Sequence, residues 1–138
     1  MSTIENFIYG KLAATSGVTT LVGSSPSRIF PEIASQDVTL PYIVYRRIAG
    51  PRWHSLSGAT GIAQPVYQID CYDDDKDGAK ALADQVRIAL NGFRGTVGSE
   101  VVKGSTLLDD RDIYETTTDP RLHRVSMDFR LTHDEATS

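Results

Sequence analysis

Apolar and polar residues alternate between positions 66 and 72, which predicts a β-strand with one buried face. On that strand Tyr67, Ile69 and Cys71 are expected to face the core. Immediately after an acidic turn the apolar residues recur at helical spacing, which predicts an amphipathic helix. Its expected core-facing residues are Ala79, Leu82, Ala83, Val86, Ala89 and Leu90. The pattern therefore indicates a strand followed directly by a helix.

Similar patterns predict the other elements of the fold. Residues 42–48 are rich in β-branched and aromatic side chains, and residues 106–115 and 123–131 form two more strands joined by a turn. A short edge strand is predicted at residues 28–32, because Pro31 cannot donate to a strand ladder. Helical spacing also predicts a first helix, with a buried side made of Ile4, Phe7, Ile8 and Leu12.

Together these elements predict a single α+β domain over residues 1–138, with an antiparallel sheet of four to five strands and two helices packed on one face. Gly17 is expected to end the first helix, residues 91–98 to form a flexible connection, and residues 134–138 to fray. Alternation in the last strand assigns four more residues to the core, namely Val125, Met127, Phe129 and Leu131.

Composition and charge narrow the classes of function. The chain has 138 residues, 40% of them hydrophobic, which suffices for a core without a disulfide or a metal. One cysteine allows no internal disulfide, and the first ten residues lack both a basic start and a long apolar run. We therefore expect a soluble protein made in the cytoplasm, without membrane contact. A net charge of −4 argues against a surface that grips nucleic acid, because such affinity rests on excess Lys and Arg.

The acidic turn after the predicted strand permits two interpretations. Its D-x-D-x-D-G pattern is close to a calcium loop, with candidate ligands Asp73, Asp75, Asp77 and Asp84. A strand precedes it, however, where a calcium loop of this type follows a helix. The other interpretation is a helix start, with Asp74 as N-cap and Asp77 at the third helical position. The context favours the helix start, and a calcium-binding interaction module using residues 73–84 stays as the alternative.

No set of residues predicts catalysis or a bound cofactor. Cys71 alternates with the core residues of its strand, which is typical of a buried, inert thiol. His54 lies near two serines, but neighbours in sequence do not form a catalytic triad, and no nucleophile-elbow motif is present. His123 and His133 flank a strand without assignable partners. We therefore expect a protein that is not an enzyme.

Two regions are candidate interaction surfaces. The segment 50–64 is predicted to be a long loop with Arg52, Trp53, His54 and Leu56, a combination enriched at protein interfaces. Alternatively, the tryptophan folds back onto the sheet. The second region is the polar face of the sheet, where pairing is expected either across strands of one copy or between copies. Its residues are Arg46, Gln68, Asp70, Asp128 and Arg130.

A series of segments in a characteristic order covers nearly the whole chain. They are GVTTLVG, RIFPE, LPYIVYRRIAG, SLSG, VYQIDCYDDDKDGAKALADQVRIALNGFRGT, LLDDRDIYE and HRVSMDFRLTH. In this order and spacing the chain resembles the tail completion family, the head-tail joining or tail terminator proteins of long-tailed bacteriophages and prophages.

The resemblance implies a virion structural protein of the tail neck with no catalytic residues. It implies a homo-oligomer, typically a ring of six copies, that caps the head-proximal end of the tail tube. The implied partners are the tail tube protein and the head-connector or neck proteins. DNA is expected to pass through the channel of the ring without specific binding, which agrees with the acidic composition.

Overall fold

The fold is described from a computed structural model of the chain. The described backbone comprises residues 3–23, 27–34, 38–50, 52–55, 58–97, 100–115 and 122–134. Within it, side chains are described for residues 6–23, 27–34, 38–50, 62–96, 101–114 and 122–133. The turn at 116–121 and the last four residues, 135–138, lie outside these ranges, so the predicted turn and most of the predicted frayed end do too.

The α+β class predicted from the sequence is confirmed. Within the described residues there are three helices, α1 (Thr3–Ala13), α2 (Ser16–Val22) and α3 (Lys76–Leu90). The strands form one sheet and are β1 (Ile29–Pro31), β2 (Tyr42–Ala49), β3 (Arg52–Ser55), β4 (Gly58–Ala63), β5 (Val66–Asp73), β6 (Gly95–Val97), β7 (Glu100–Glu115) and β8 (Leu122–Asp134). The sheet is therefore larger than the four to five strands predicted, and one more helix is present.

Strand β8 is central to the sheet. One of its edges pairs with β7 along nearly its whole length, and the other pairs first with β5 and then with the end of β4. Beyond β5 lie β2, which is antiparallel to it, and β1, which runs parallel to β2 at the outer edge. The predicted edge position of residues 28–32 is thus confirmed, with β1 as a short strand.

One face of the sheet and the three helices enclose a continuous apolar core. The inward sets predicted for the strands at 66–72 and 123–131 are confirmed, because every one of those seven side chains is buried. All six core-facing residues predicted for α3 are buried as well. From α1, Phe7 stacks on Phe93 with ring centroids 5.5 Å apart, which ties the segment after α3 to the first helix. No helix within the described ranges is both long and apolar enough to cross a membrane.

Three local predictions were wrong. Gly17 does not end the first helix but lies inside α2, a two-turn helix in which Val18 and Val22 are buried. The segment expected to be a flexible connection contains β6, which pairs with the start of β7. Within the segment 50–64, expected to be a loop, residues 52–55 and 58–63 form the paired strands β3 and β4, here called the arm. Short segments interrupted by glycine carry too few alternating positions to reveal such strands.

Candidate assembly interface

The outward face of the sheet carries a charged cluster centred on Asp70. This carboxylate is only 1% exposed although no helix covers that face of the sheet. Its Oδ2 lies 3.3 Å from the Arg46 guanidinium and 3.6 Å from that of Arg124, while Arg46 also donates to Gln68 Oε1 at 3.1 Å. Arg124 donates in turn to the Tyr72 hydroxyl. Two guanidinium groups thus pair with Asp70 Oδ2, and Gln68 and Tyr72 hold those guanidinium groups in turn, which makes the buried charge tolerable.

A second charged cluster lies further along the same face, towards β7. Arg111 donates through both terminal nitrogens to Asp128, at 3.3 and 3.1 Å, and also contacts Asp109 and Ser126. The hydrogen bond that Arg111 donates to Asp128, together with the negative charges of Asp128 and Asp109, outweighs desolvation and raises the pKa of Arg111. A two-pronged Arg–carboxylate contact fixes the orientation of both groups. The two strands of the long β7–β8 hairpin are therefore held together on this face by charge.

Four of the five polar residues predicted on this face pair across strands within one copy, which is one of the two alternatives left open by the sequence. They are Arg46, Gln68, Asp70 and Asp128. Arg130 differs, because its guanidinium makes no hydrogen bond or ion pair with any residue in the described part of the chain. It lies opposite Val66 on β5 and Thr106 on β7, which are both unable to neutralise it. Arg111 and Arg124 were not singled out from the sequence, because nothing local indicates where their acidic partners lie.

The arm is inserted in the chain between β2 and β5. Arg52 pairs with Ala63 and His54 with Ala59, with a register shift between them at Trp53. Among the described residues, strand pairing between the arm and the body involves Ile62 and Ala63, opposite the end of β8. The side chains of the four residues predicted to form an interface here lie outside the described side chains, and Leu56 lies outside the described backbone.

The acidic turn starts α3. Asp75, not Asp74 as expected, is the N-cap, and its Oδ2 accepts from the Gly78 N–H at 3.3 Å. Asp77 consequently occupies the second helical position instead of the third. Partial burial, with the nearby acids contributing, raises the pKa of Asp73. Among the described residues, which include all four predicted calcium ligands, no three acidic, histidine or cysteine groups are placed to hold a metal ion.

The described side chains contain no arrangement suited to catalysis. Cys71 is fully buried, and burial together with the charge of Asp70 raises the pKa of its thiol, so the thiolate nucleophile is disfavoured. His123 stacks on Tyr114, with 4.4 Å between ring centroids.

A cleft of about 230 Å³ lies between the start of α3 and the β7–β8 hairpin. This cleft could not be predicted from the sequence, because its two walls are distant in the chain. Its lining is mixed in charge, with Lys76, Lys80, Asp112, Tyr114, His123 and Arg124 among the residues exposed to it.

Comparisons with known proteins give a family and a similar fold. No curated protein sequence is detectably similar to the chain. A chain in the solved structure titled "Virion of native gene transfer agent (GTA) particle" is similar in fold, with a TM-score of 0.64 at 21% identity. The match covers 92% of this chain and 91% of that one. The family model described as "Tail completion protein gp17" matches residues 7–134. The chain therefore belongs to the tail completion protein gp17 family, and its place is in the tail of a virion.

Proposed function

We propose that this protein is a non-enzymatic structural component that caps the head-proximal end of the tail tube and joins it to the head connector. The observation that carries the proposal is the family match over residues 7–134, which spans every element of the fold after the start of α1. The similarity in fold to a chain of a gene transfer agent virion supports the same class of role. The described side chains offer no catalytic arrangement that would favour an enzyme instead.

In this role several copies form a ring, six in the form that the family resemblance implies, around the channel through which DNA passes. A net charge of −4 supports passage without binding, because attraction to phosphates requires an excess of basic groups. Closed cyclic assembly also requires that each copy present two different surfaces, one for each neighbour. The partners proposed for the two ends of the ring are the tail tube protein and the head-connector or neck proteins.

Deleting the gene and examining the particles by electron microscopy tests the proposal. We expect filled heads and separate tails, and restoration of joined particles when the wild-type gene is supplied in trans. Labelled protein is expected at the head-proximal end of the tails, where symmetry analysis of end-on views counts the copies. Normally joined particles in the deletion strain would overturn the proposal, and label elsewhere on the tail would reassign the position.

A further inference from the structure

We propose that neighbouring copies are joined by strand addition, in which the outer edge of β3 in the arm of one copy pairs with the free edge of β7 in the next. The proposal rests on the ring of the proposed function and specifies the contact that would build it. It follows from the direction of backbone groups, from the cleft beside α3, and from the charges of the two edges.

Backbone hydrogen bonds show which groups of β7 point away from the sheet. The N–H and C=O of one strand residue point to the same edge, and successive residues alternate. Gly92 N–H donates to Ser105 O at 2.7 Å, and Leu107 N–H donates to Asn91 Oδ1 at 3.0 Å. Since these partners follow α3 and are not on β8, Ser105 and Leu107 direct their backbone groups outwards, away from β8.

The register shifts by one residue at the bulge between Leu107 and Asp109, and beyond it every second residue again points outwards. This alternation leaves the N–H and C=O groups of Asp110, Asp112 and Tyr114 on the outer edge. Within the described residues no backbone partner is present for them, because β6 pairs only with Val102 and the residues before it. A row of unpaired backbone groups on an extended strand is the template that strand addition requires.

The cleft provides room beside that edge. Asp110, Asp112 and Tyr114 lie on the helix side of β7, opposite Met127, Val125 and His123, respectively. Their side chains line the space between the strand and α3, where Lys80 meets Asp112 at 2.7 Å. A strand added to β7 would direct alternate side chains into this space. An edge strand beside a helix with a cleft between them is the geometry that accepts an extended segment.

The charges of the two strand edges indicate which strand pairs with β7. Three of the four residues 109–112 are acidic; Asp109 pairs with Arg111 and Asp112 with Lys80, and Asp110 adds a negative charge that opposes pairing of β7 with another β7. Strand β3 contains Arg52 and His54 and no acidic residue, so its composition complements an acidic edge. Its outer edge is free in the described sheet, since β3 is the end of the strand order.

The other free strand edges are less suited to pairing with β7. Strands β1 and β6 have three residues each, Pro31 in β1 has no N–H, and the acidic Glu32 follows it. A contact from β3 to β7 uses different surfaces on the two copies, as a closed ring requires.

Cross-linking between two single-cysteine variants tests this contact. Copies with Ser55→Cys, at the end of β3, are mixed with copies carrying Leu108→Cys, at the start of the free edge, and treated with a short bismaleimide. The native Cys71 is fully buried and does not compete. As the control, Ser55→Cys is mixed with Ile88→Cys, which lies on the solvent-exposed side of α3. We expect dimers from the first mixture and few from the control, both in purified protein at high concentration and on isolated tails.

The outcomes separate the contact from the function. Rings on tails without the β3–β7 cross-link would overturn this inference and leave the proposed function standing. Cross-linked dimers in solution with no protein at the tail end would support the contact and overturn the function. Neither cross-link nor ring would overturn both, and equal cross-linking of the control would also contradict the contact.

Charge variants give a second test. Asp110→Lys is expected to lower the yield of the specific cross-link about fivefold, since like charges on paired strands cost up to about 1 kcal/mol. Asp74→Lys, an equal change of charge at the exposed acidic turn, serves as the control and should leave the yield unchanged. Combining Asp110→Lys with Arg52→Glu restores opposite charges and should restore the yield. Unchanged cross-linking in Asp110→Lys, or failure of this rescue, would contradict the pairing.

Discussion

The two faces of the central strands use alternate residues of the same segments, and they are held together in different ways. On the helix side, Tyr67, Ile69 and Phe129 are fully buried among apolar neighbours. On the other side, the buried acid Asp70 is covered only by arginine side chains that remain 39% and 20% exposed. The apolar face gains stability from its whole area, whereas the charged face depends on a few specific partners.

This difference indicates that the apolar face determines the fold and that the charged face provides specificity. Apolar burial tolerates exchange of one hydrophobic residue for another of similar size. A buried charge does not, because removing one partner leaves the other desolvated. Substitutions on the two faces should therefore change the free energy of unfolding by different amounts and for different physical reasons.

The largest expected effect comes from the helix side. Phe129→Ala removes a fully buried ring from the central strand, and we expect the free energy of unfolding to fall by about 3–5 kcal/mol. Leu108→Ala, at a bulge residue that is 47% exposed, is the matched control and should cost far less. Denaturant unfolding measures both. Similar costs for the two variants would show that the described core does not dominate stability.

On the charged face, Asp70→Asn keeps the shape of the side chain and removes its charge. Arg46 and Arg124 then lose their anionic partner, but both retain some contact with water. We expect a loss of about 1–3 kcal/mol at neutral pH, which is the scale of hydrogen bonds to charged groups. Asp74→Asn at the exposed turn should change stability by less than about 0.5 kcal/mol. A stabilised Asp70→Asn protein would mean that desolvation of this acid outweighs its pairing.

Alkaline pH provides a further comparison, because the only thiol lies on the helix side. Burial raises the pKa of Cys71 above the ordinary value of 9.0, so the unfolded chain releases this proton first as pH rises. Stability is then lost above about pH 9, by about 1.4 kcal/mol per pH unit. The slope should be smaller by this amount in Cys71→Ala. Equal slopes in urea titrations of both proteins would place the thiol in contact with solvent.

A smaller effect is expected from the second charged cluster. Arg111→Gln removes the two-pronged contact with Asp128, but the guanidinium is 37% exposed, so solvent already screens the pair. We expect a loss of about 0.2–1 kcal/mol that shrinks further at high salt. Arg87→Gln, at an exposed pair within α3, is the control for general charge effects. A cost that is large and independent of salt would show that this cluster acts as part of the core.

The smallest effect on unfolding is expected from the arm, despite the number of residues involved. Replacing residues 51–64 by Asn-Gly leaves a short connection between β2 and β5, and it loses the pairs with the end of β8, the buried side chain of Ala63 and the hydrogen bond from Gln64 to Thr132. The shorter connection lowers the entropy cost of closure, which offsets that loss to within about 1 kcal/mol. Head-tail joining should nevertheless fail in a complementation assay. An unfolded variant would make the arm structural, and infectious particles would make it dispensable.

The apolar face of the sheet could be predicted from the sequence, whereas the contacts on the charged face could not. Alternation in β5 and β8 identified the core because burial on one side acts directly on each residue type. The burial of Asp70 could not be foreseen, since its partner Arg124 is more than fifty residues away in the chain. Asp75 displaced Asp74 as the N-cap because several adjacent acids can fill that position, and geometry selects among them. The strands of the arm could not be predicted, because Gly58 and Gly61 interrupt the alternation of apolar and polar residues.

Strand β8 has a consequence for how the arm is held. The strand passes without interruption from its partner β5 to its partner β4, and Leu131 N–H bonds to Pro65 O where the partner changes. The arm is thus paired, through Ile62 and Ala63, with the same strand that pairs with β5 and β7. A displacement of these two residues would therefore act directly on the central strand of the sheet.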